Sequence, residues 1–204
     1  MTRRSVWFRS AMVSFLCAAA FLPLLTGQES SQSPPRPKKV LTPEQKAFQQ
    51  EWKDWSAKHQ ALQAQAKQVY DAEMAREKAG DCPNAQTTYD FNICYGQQTK
   101  ITDASLHSYE DIIRQLMIPG PQFPGQSPPP PGPGGPSLTP DQLSAEFDHV
   151  EQLWQQYRDT ACTAALHQFD GGTGGPSFEA ECELKLMRNH MRELDMIYGS
   201  DLHM

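Results

Sequence analysis

The stretch Trp154-Gln155-Gln156-Tyr157-Arg158-Asp159-Thr160-Ala161-Cys162, answered twenty residues later by Cys182, decides how this chain is read. An aromatic pair, an ion pair and a cysteine fall within one short run, and Gly171-Gly172-Thr173-Gly174-Gly175-Pro176 then breaks the chain before a second periodic run. The pattern predicts two helices turned back on each other and braced by a disulfide. The first of them presents Leu143, Phe147, Val150, Trp154, Tyr157, Ala161 and Ala164 at alternating spacings of four and three. The second runs from about Phe178 to Tyr198, with Cys182, Leu186, Met187, Met191, Leu194 and Tyr198 as its apolar side. The glycine run lacks the Lys-Ser/Thr of a phosphate loop and follows a helix, so it reads as a flexible turn and not a nucleotide cradle.

Upstream, two further helices are expected. Thr42-Pro43-Glu44-Gln45 supplies an N-cap, a proline at the first helical position and a glutamine where a capping box places one. Phe48, Trp52, Trp55, His59, Leu62, Ala66 and Val69 follow as one stripe that Gly80 ends, a coiled-coil-like seam with His59 as a packed or edge residue. Leu138-Thr139-Pro140-Asp141-Gln142 nearly copies this start and reads as the same device used twice. A helix from about Thr88 to Met117 carries Phe91, Cys94, Ile101, Leu106, Tyr109, Ile112, Ile113 and Leu116. Between the halves, Pro119 to Pro140 holds ten of the seventeen prolines. Such a run is expected to be an extended spacer that does not pack, and residues Gln122 to Gly135 to be dispensable for folding.

Compartment and charge narrow the function. Arg3, Arg4 and Arg9 precede an apolar run from Ala11 to Leu25 and then polar residues, the layout of a secretory signal peptide cut near Gly27. Cys17 would leave with it, which leaves Cys82, Cys94, Cys162 and Cys182. An even count after export reads as two disulfides with three possible connectivities; pairing neighbours, Cys82 with Cys94 and Cys162 with Cys182, is preferred because each closes a short loop at a helix end. No cysteine pair has the spacing of a zinc knuckle, so no metal is expected. Residues 28–80 carry nine basic and seven acidic side chains, whereas residues 81–204 carry six basic and seventeen acidic ones. Nucleic acid is a poor partner for that surface, and a basic protein a good one.

These residues also carry a resemblance. Asp90-x-Asn92-x-Cys94, then Asp103-x-x-Leu106-x-x-Tyr109, then the Trp154, Tyr157, Arg158, Asp159 and Cys162 block, the glycine turn and Cys182 with Leu186 and Leu194 resemble the LprI-type lysozyme-inhibitor family of small exported bacterial proteins. The resemblance covers roughly residues 81 to 198, with His107 standing where the family usually has Asn and His190 where it usually has Arg. It implies a small, all-helical, disulfide-braced, non-enzymatic domain, in some relatives able to block lysozyme. An ion pair built on the usual Arg would pass to Arg188 or Arg192. Trp154 and Tyr157 are expected to face the helix seam, and Arg158 and Asp159 to tie neighbouring helices or cap backbone groups.

The expected fold is all-α, a disulfide-braced bundle of about four helices with a proline-rich insertion. The expected organisation is a signal peptide at 1–27, a tether at 28–41, a long amphipathic helix at 42–80, two halves of the binding domain at 81–118 and 141–204, and a linker at 119–140 between them. No Gly-x-Ser-x-Gly elbow and no His-Glu-x-x-His occurs, and acid pairs such as Glu179 with Glu181 or Glu183 read as solvated helix surface. No enzyme activity and no cofactor are therefore expected, and no membrane span once the signal is removed. The function read from the sequence is that of a secreted or periplasmic, lysozyme-inhibitor-like protein that binds an extracytoplasmic partner, with a basic lysozyme as the candidate and residues 81–204 sufficient for it. The alternative is an envelope adaptor that joins a partner helix or a second copy of itself through residues 42–80.

Overall fold

The computed structural model describes residues 41–125 and 138–203. The expected signal peptide, nearly all of the tether, and the Pro128 to Pro131 run lie outside the described residues. Five helices follow in order: α1 Pro43–Ala79, α2 Thr88–Leu116, α3 Pro140–His167, α4 Gly175–Ile197 and the single turn α5 Gly199–Leu202. No strand occurs among the described residues, so the chain is all-α.

The repeated start device works as its chemistry predicts. Thr42 Oγ1 accepts from the Gln45 N–H while Gln45 Oε1 accepts from the Thr42 N–H, and Thr139 with Gln142 repeats the pair at α3. Each box satisfies orphan donors that the helix cannot bond internally. Gly80, at φ +85°, ends α1 in a conformation few other residues tolerate.

Within the unit from Leu41 onward, α2 and α4 share the most extensive contact, α3 packs chiefly on α4, and α1 chiefly on α2. The core joins Leu106, Tyr109, Ile112, Ile113 and Leu116 of α2 to Met187, Met191 and Leu194 of α4, with Ala66, Phe147 and Leu202 closing it from α1, α3 and α5. Disulfides Cys82–Cys94 and Cys162–Cys182 have Cα separations of 6.0 and 5.4 Å. The first joins the segment after α1 to α2, and the second fastens α3 to α4.

Three expectations are corrected. On α3, Leu143, Val150 and Tyr157 are exposed, Tyr157 by 60%. The inward face instead runs Phe147, Glu151, Trp154, Arg158 and Cys162, a register hidden from a purely apolar reading because two of its members are charged. On α2, Ile101 is exposed and Thr102 takes the buried place, its hydroxyl donating to Glu73 at 2.8 Å. The start of the proline-rich segment does pack: Phe123 meets Phe48 edge-on with ring centroids 5.1 Å apart. A Cβ on Gly120 would stand 2.6 Å from the Trp52 ring, so the chain crosses Trp52 and Trp55 at a residue with no side chain. Two smaller differences are that α4 begins at Gly175 and that α5, held by a bond from Gln63 to the Asp201 carbonyl at 2.7 Å, had no signal of its own.

Candidate functional site

The signature residues divide into a group that fixes α2 and a group that joins α2, α3 and α4. Asp90 completes a capping box with Thr87, accepting from the Thr87 and Gln86 N–H groups and the Thr87 hydroxyl. Those bonds hold its carboxyl below the usual carboxylate range. Asn92 donates to the Thr173 carbonyl at 3.0 Å and so ties α2 to the glycine turn. Leu106 and Tyr109 lie in the core. The Tyr109 hydroxyl donates to Asp195 at 3.0 Å, and burial, reinforced by the Asp195 charge, drives its acidity far down.

The second group centres on Arg158. Its guanidinium lies 5.3 Å from the Trp154 ring centroid, 3.5 Å from Asp103 of α2, and donates twice to Asp159 at 2.9 and 3.0 Å. Arg158 therefore links α3 to α2, while Asp159 bonds only to its neighbour and faces solvent. Trp154 is half-buried as expected; Tyr157 is not on the seam. Asp103 and Asp159 contact this cation, and Glu183 lies near enough to feel it, with Glu179 close to Glu183 in turn. Burial raises the Glu183 carboxyl above its usual range; Arg158 opposes this, while the charges of Glu179, Asp159 and Asp103 add to it. The result is an acidic patch with one buttressed arginine at its centre.

Beneath Trp154 lies a buried charged cluster that apolar periodicity had concealed. The His190 ring stacks on Trp154 at 4.0 Å and 10°. Its Nε2 is 2.8 Å from Glu151 Oε2 and its Nδ1 3.4 Å from Glu193. Glu110 of α2 completes a group in which one ligand atom from each of Glu110, Glu151 and His190 lies within 4.8 Å of the others. Burial, then the neighbouring Glu151 charge, pushes the Glu110 carboxyl up to about 7. These three residues are the ones able to hold a cation among those described, a set the cysteine spacing did not foreshadow.

Arg188 and Arg192 do not serve that cluster. Arg188, 2% exposed, donates from Nε to Glu73 of α1 at 2.8 Å and forks onto Asp81 at 2.5 and 2.7 Å. Arg76 also pairs with Glu73, and Arg192 pairs with Glu77. The histidine at 190 thus has its own partner in Glu151, and the two arginines bind α1 to α4. A groove of about 760 Å³ between α1 and α2 is lined by Arg76 and Lys100 among neutral residues, so it offers nothing to a basic partner. None of the described helices is long and apolar enough to cross a membrane.

An all-α, doubly disulfide-braced bundle whose signature residues serve packing and an acidic face belongs to the class of small disulfide-braced helical domains. A family model, Lysozyme inhibitor LprI, matches residues 79–194, more than half of the chain, and the protein belongs to that family. No curated protein and no solved structure matches it. The match excludes nearly all of α1, although α1 contributes Ala66 and Glu73 to the buried interior.

Proposed function

We propose that this chain is an exported, non-enzymatic protein that binds an extracytoplasmic partner, and that the partner is a lysozyme. The observation that carries the reading is the family match over the region where Asp103, Asp159, Glu179 and Glu183 gather near one another. Wall-degrading lysozymes are commonly basic with a cleft lined by carboxylates. An acidic face raises the encounter rate with such a surface. The exposed Tyr157, beside Arg158 on α3, gives that face an aromatic anchor of the kind enriched at binding hot spots. Asp90, Asn92, Leu106, Tyr109 and Trp154 position the face without touching the partner.

The test is a wall-lysis assay with the purified mature protein and several lysozyme types. Inhibition that weakens as salt rises from about 0.1 M to 1 M, where the Debye length falls from roughly 10 to 3 Å, is expected. The pair Asp103→Asn and Asp159→Asn should slow association with helicity unchanged. Absence of inhibition against every lysozyme type overturns the reading. The adaptor alternative draws on Trp52, which stays 46% exposed, but the family match excludes nearly all of α1, which carries it.

A further inference from the structure

We propose that Glu110, Glu151 and His190 form a binding site for one divalent transition-metal ion, with zinc the best match to the donors, which staples α2, α3 and α4 together. The donors come one from each helix, and all three are buried, Glu110 by 98% and Glu151 by 97% on exposures of 2% and 3%. Both carboxylates keep an Oε1 atom with no hydrogen-bond partner, which is costly inside a protein unless something not yet counted satisfies it. Metal binding takes a neutral imidazole and deprotonated carboxylates, so the bound ligand set carries a charge of about −2, which one divalent ion cancels.

Geometry agrees. Four-coordinate zinc holds nitrogen and oxygen ligands at about 2.0–2.1 Å, so neighbouring ligand atoms stand about 3.3 Å apart. Here Nε2 and Glu151 Oε2 are 2.8 Å apart and the three donor atoms lie within 4.8 Å, so the ion enters with shifts of about an ångström or less. Glu193 supplies the outer shell. Its carboxylate stands 3.4 Å from His190 Nδ1, placed to accept the Nδ1–H once an ion takes Nε2 from Glu151, and Trp154 fixes the ring plane. Imidazole and carboxylate together suit zinc or manganese better than calcium or magnesium, which take oxygen donors.

The experiment titrates Zn²⁺, with Mg²⁺ as comparator, into the chelator-treated, oxidised mature protein, whose disulfides keep thiols from competing. The expected result is saturable binding at one ion per chain, a higher melting temperature with zinc, and little response to magnesium. Binding should weaken at least tenfold in Glu110→Gln and disappear in His190→Arg, whose guanidinium fills the site with a fixed cation. His203→Gln, at an exposed His–Asp pair, should leave binding unchanged. The ¹⁵N resonance of His190 Nε2 in the unsubstituted protein decides the matter if Glu110→Gln fails to fold: a shift on zinc addition supports the site. No shift at Nε2, no saturable binding, or binding undiminished in His190→Arg overturns it and leaves a cluster satisfied by protons alone.

Discussion

Replacing Arg188 with methionine tests whether α1 is part of the domain. The side chain is 2% exposed and gives up three hydrogen bonds, one to Glu73 and two to Asp81. Glu73 is 0% exposed and cannot turn to water once its partner is gone, whereas Asp81 lies near the surface and can. Removing one member of a buried pair costs about 3–5 kcal/mol. Thr102 and Arg76 still face Glu73, which places this case at the lower end, about 3 kcal/mol. For a domain of this size that lowers the melting temperature by roughly 6–12 °C. Urea unfolding at fixed pH measures it, with the slope against denaturant unchanged. Adding Glu73→Gln should recover on the order of 2 kcal/mol, because the stranded charge is then removed. A loss below about 1 kcal/mol for Arg188→Met, or strict additivity in the double variant, would refute the buried linkage. The same reasoning predicts the behaviour of a fragment of residues 81–204: it keeps Asp81 but loses Glu73 as a partner of Arg188 and uncovers the core face that Ala66 closes, so it should unfold less cooperatively than the longer chain.

Other outcomes follow from the same contacts. In metal-free protein, Glu110 faces Glu151 and His190, with His107 and Arg114 near enough to oppose the shift, and its carboxyl is raised from 4.5 to about 7. The native state then holds more protons than the unfolded state between those values, so this contribution is full below pH 4.5 and is lost as pH rises through 7. Each pKa unit is worth about 1.4 kcal/mol, so melting across that window should show a fall on the order of 2–3 kcal/mol that Glu110→Gln abolishes. Gly120→Ala must displace the Trp52 ring from 2.6 Å and should cost about 1 kcal/mol, with a change in tryptophan fluorescence; an unchanged spectrum would mean that the segment does not lie on α1. Cys162→Ser with Cys182→Ser should cost about 3 kcal/mol by urea unfolding and splay the α3–α4 hairpin, as read by faster amide exchange in the glycine turn.

Local signals carried most of the fold. Thr42 and Thr139 with their glutamines, Gly80 and the glycine turn place the helix ends within a few residues, because caps and breakers act through backbone bonds that neighbouring residues determine. The cysteine pairing was legible for the same reason, since both bridges close short local loops. What could not be read were contacts between residues far apart in sequence. Glu73 with Arg188 and Glu151 with His190 join positions 115 and 39 apart, and each partner alone looks like helix surface. Gly120 gave no sign that a tryptophan lay beneath it, because the crossing depends on where α1 and the end of α2 meet.

The misread face of α3 shows where a signal was present. Phe147, Glu151, Trp154, Arg158 and Cys162 keep the four-three-four-four rhythm of a buried helix face as well as Phe147, Val150, Trp154 and Tyr157 do. Apolarity favoured the second set, but the first has a charge of each sign spaced so that a neighbouring helix can answer both. α4 answers Glu151 with His190, and α2 answers Arg158 with Asp103. Buried charges need partners more than apolar groups need cover, so the charged register fixes how α3 rolls against α2 and α4. That roll turns Tyr157 and Asp159 outward together, beside the arginine that Asp103 steadies. The buried pair of Glu151 with His190 and the outward set of Tyr157 and Asp159 thus rest on one and the same roll of α3.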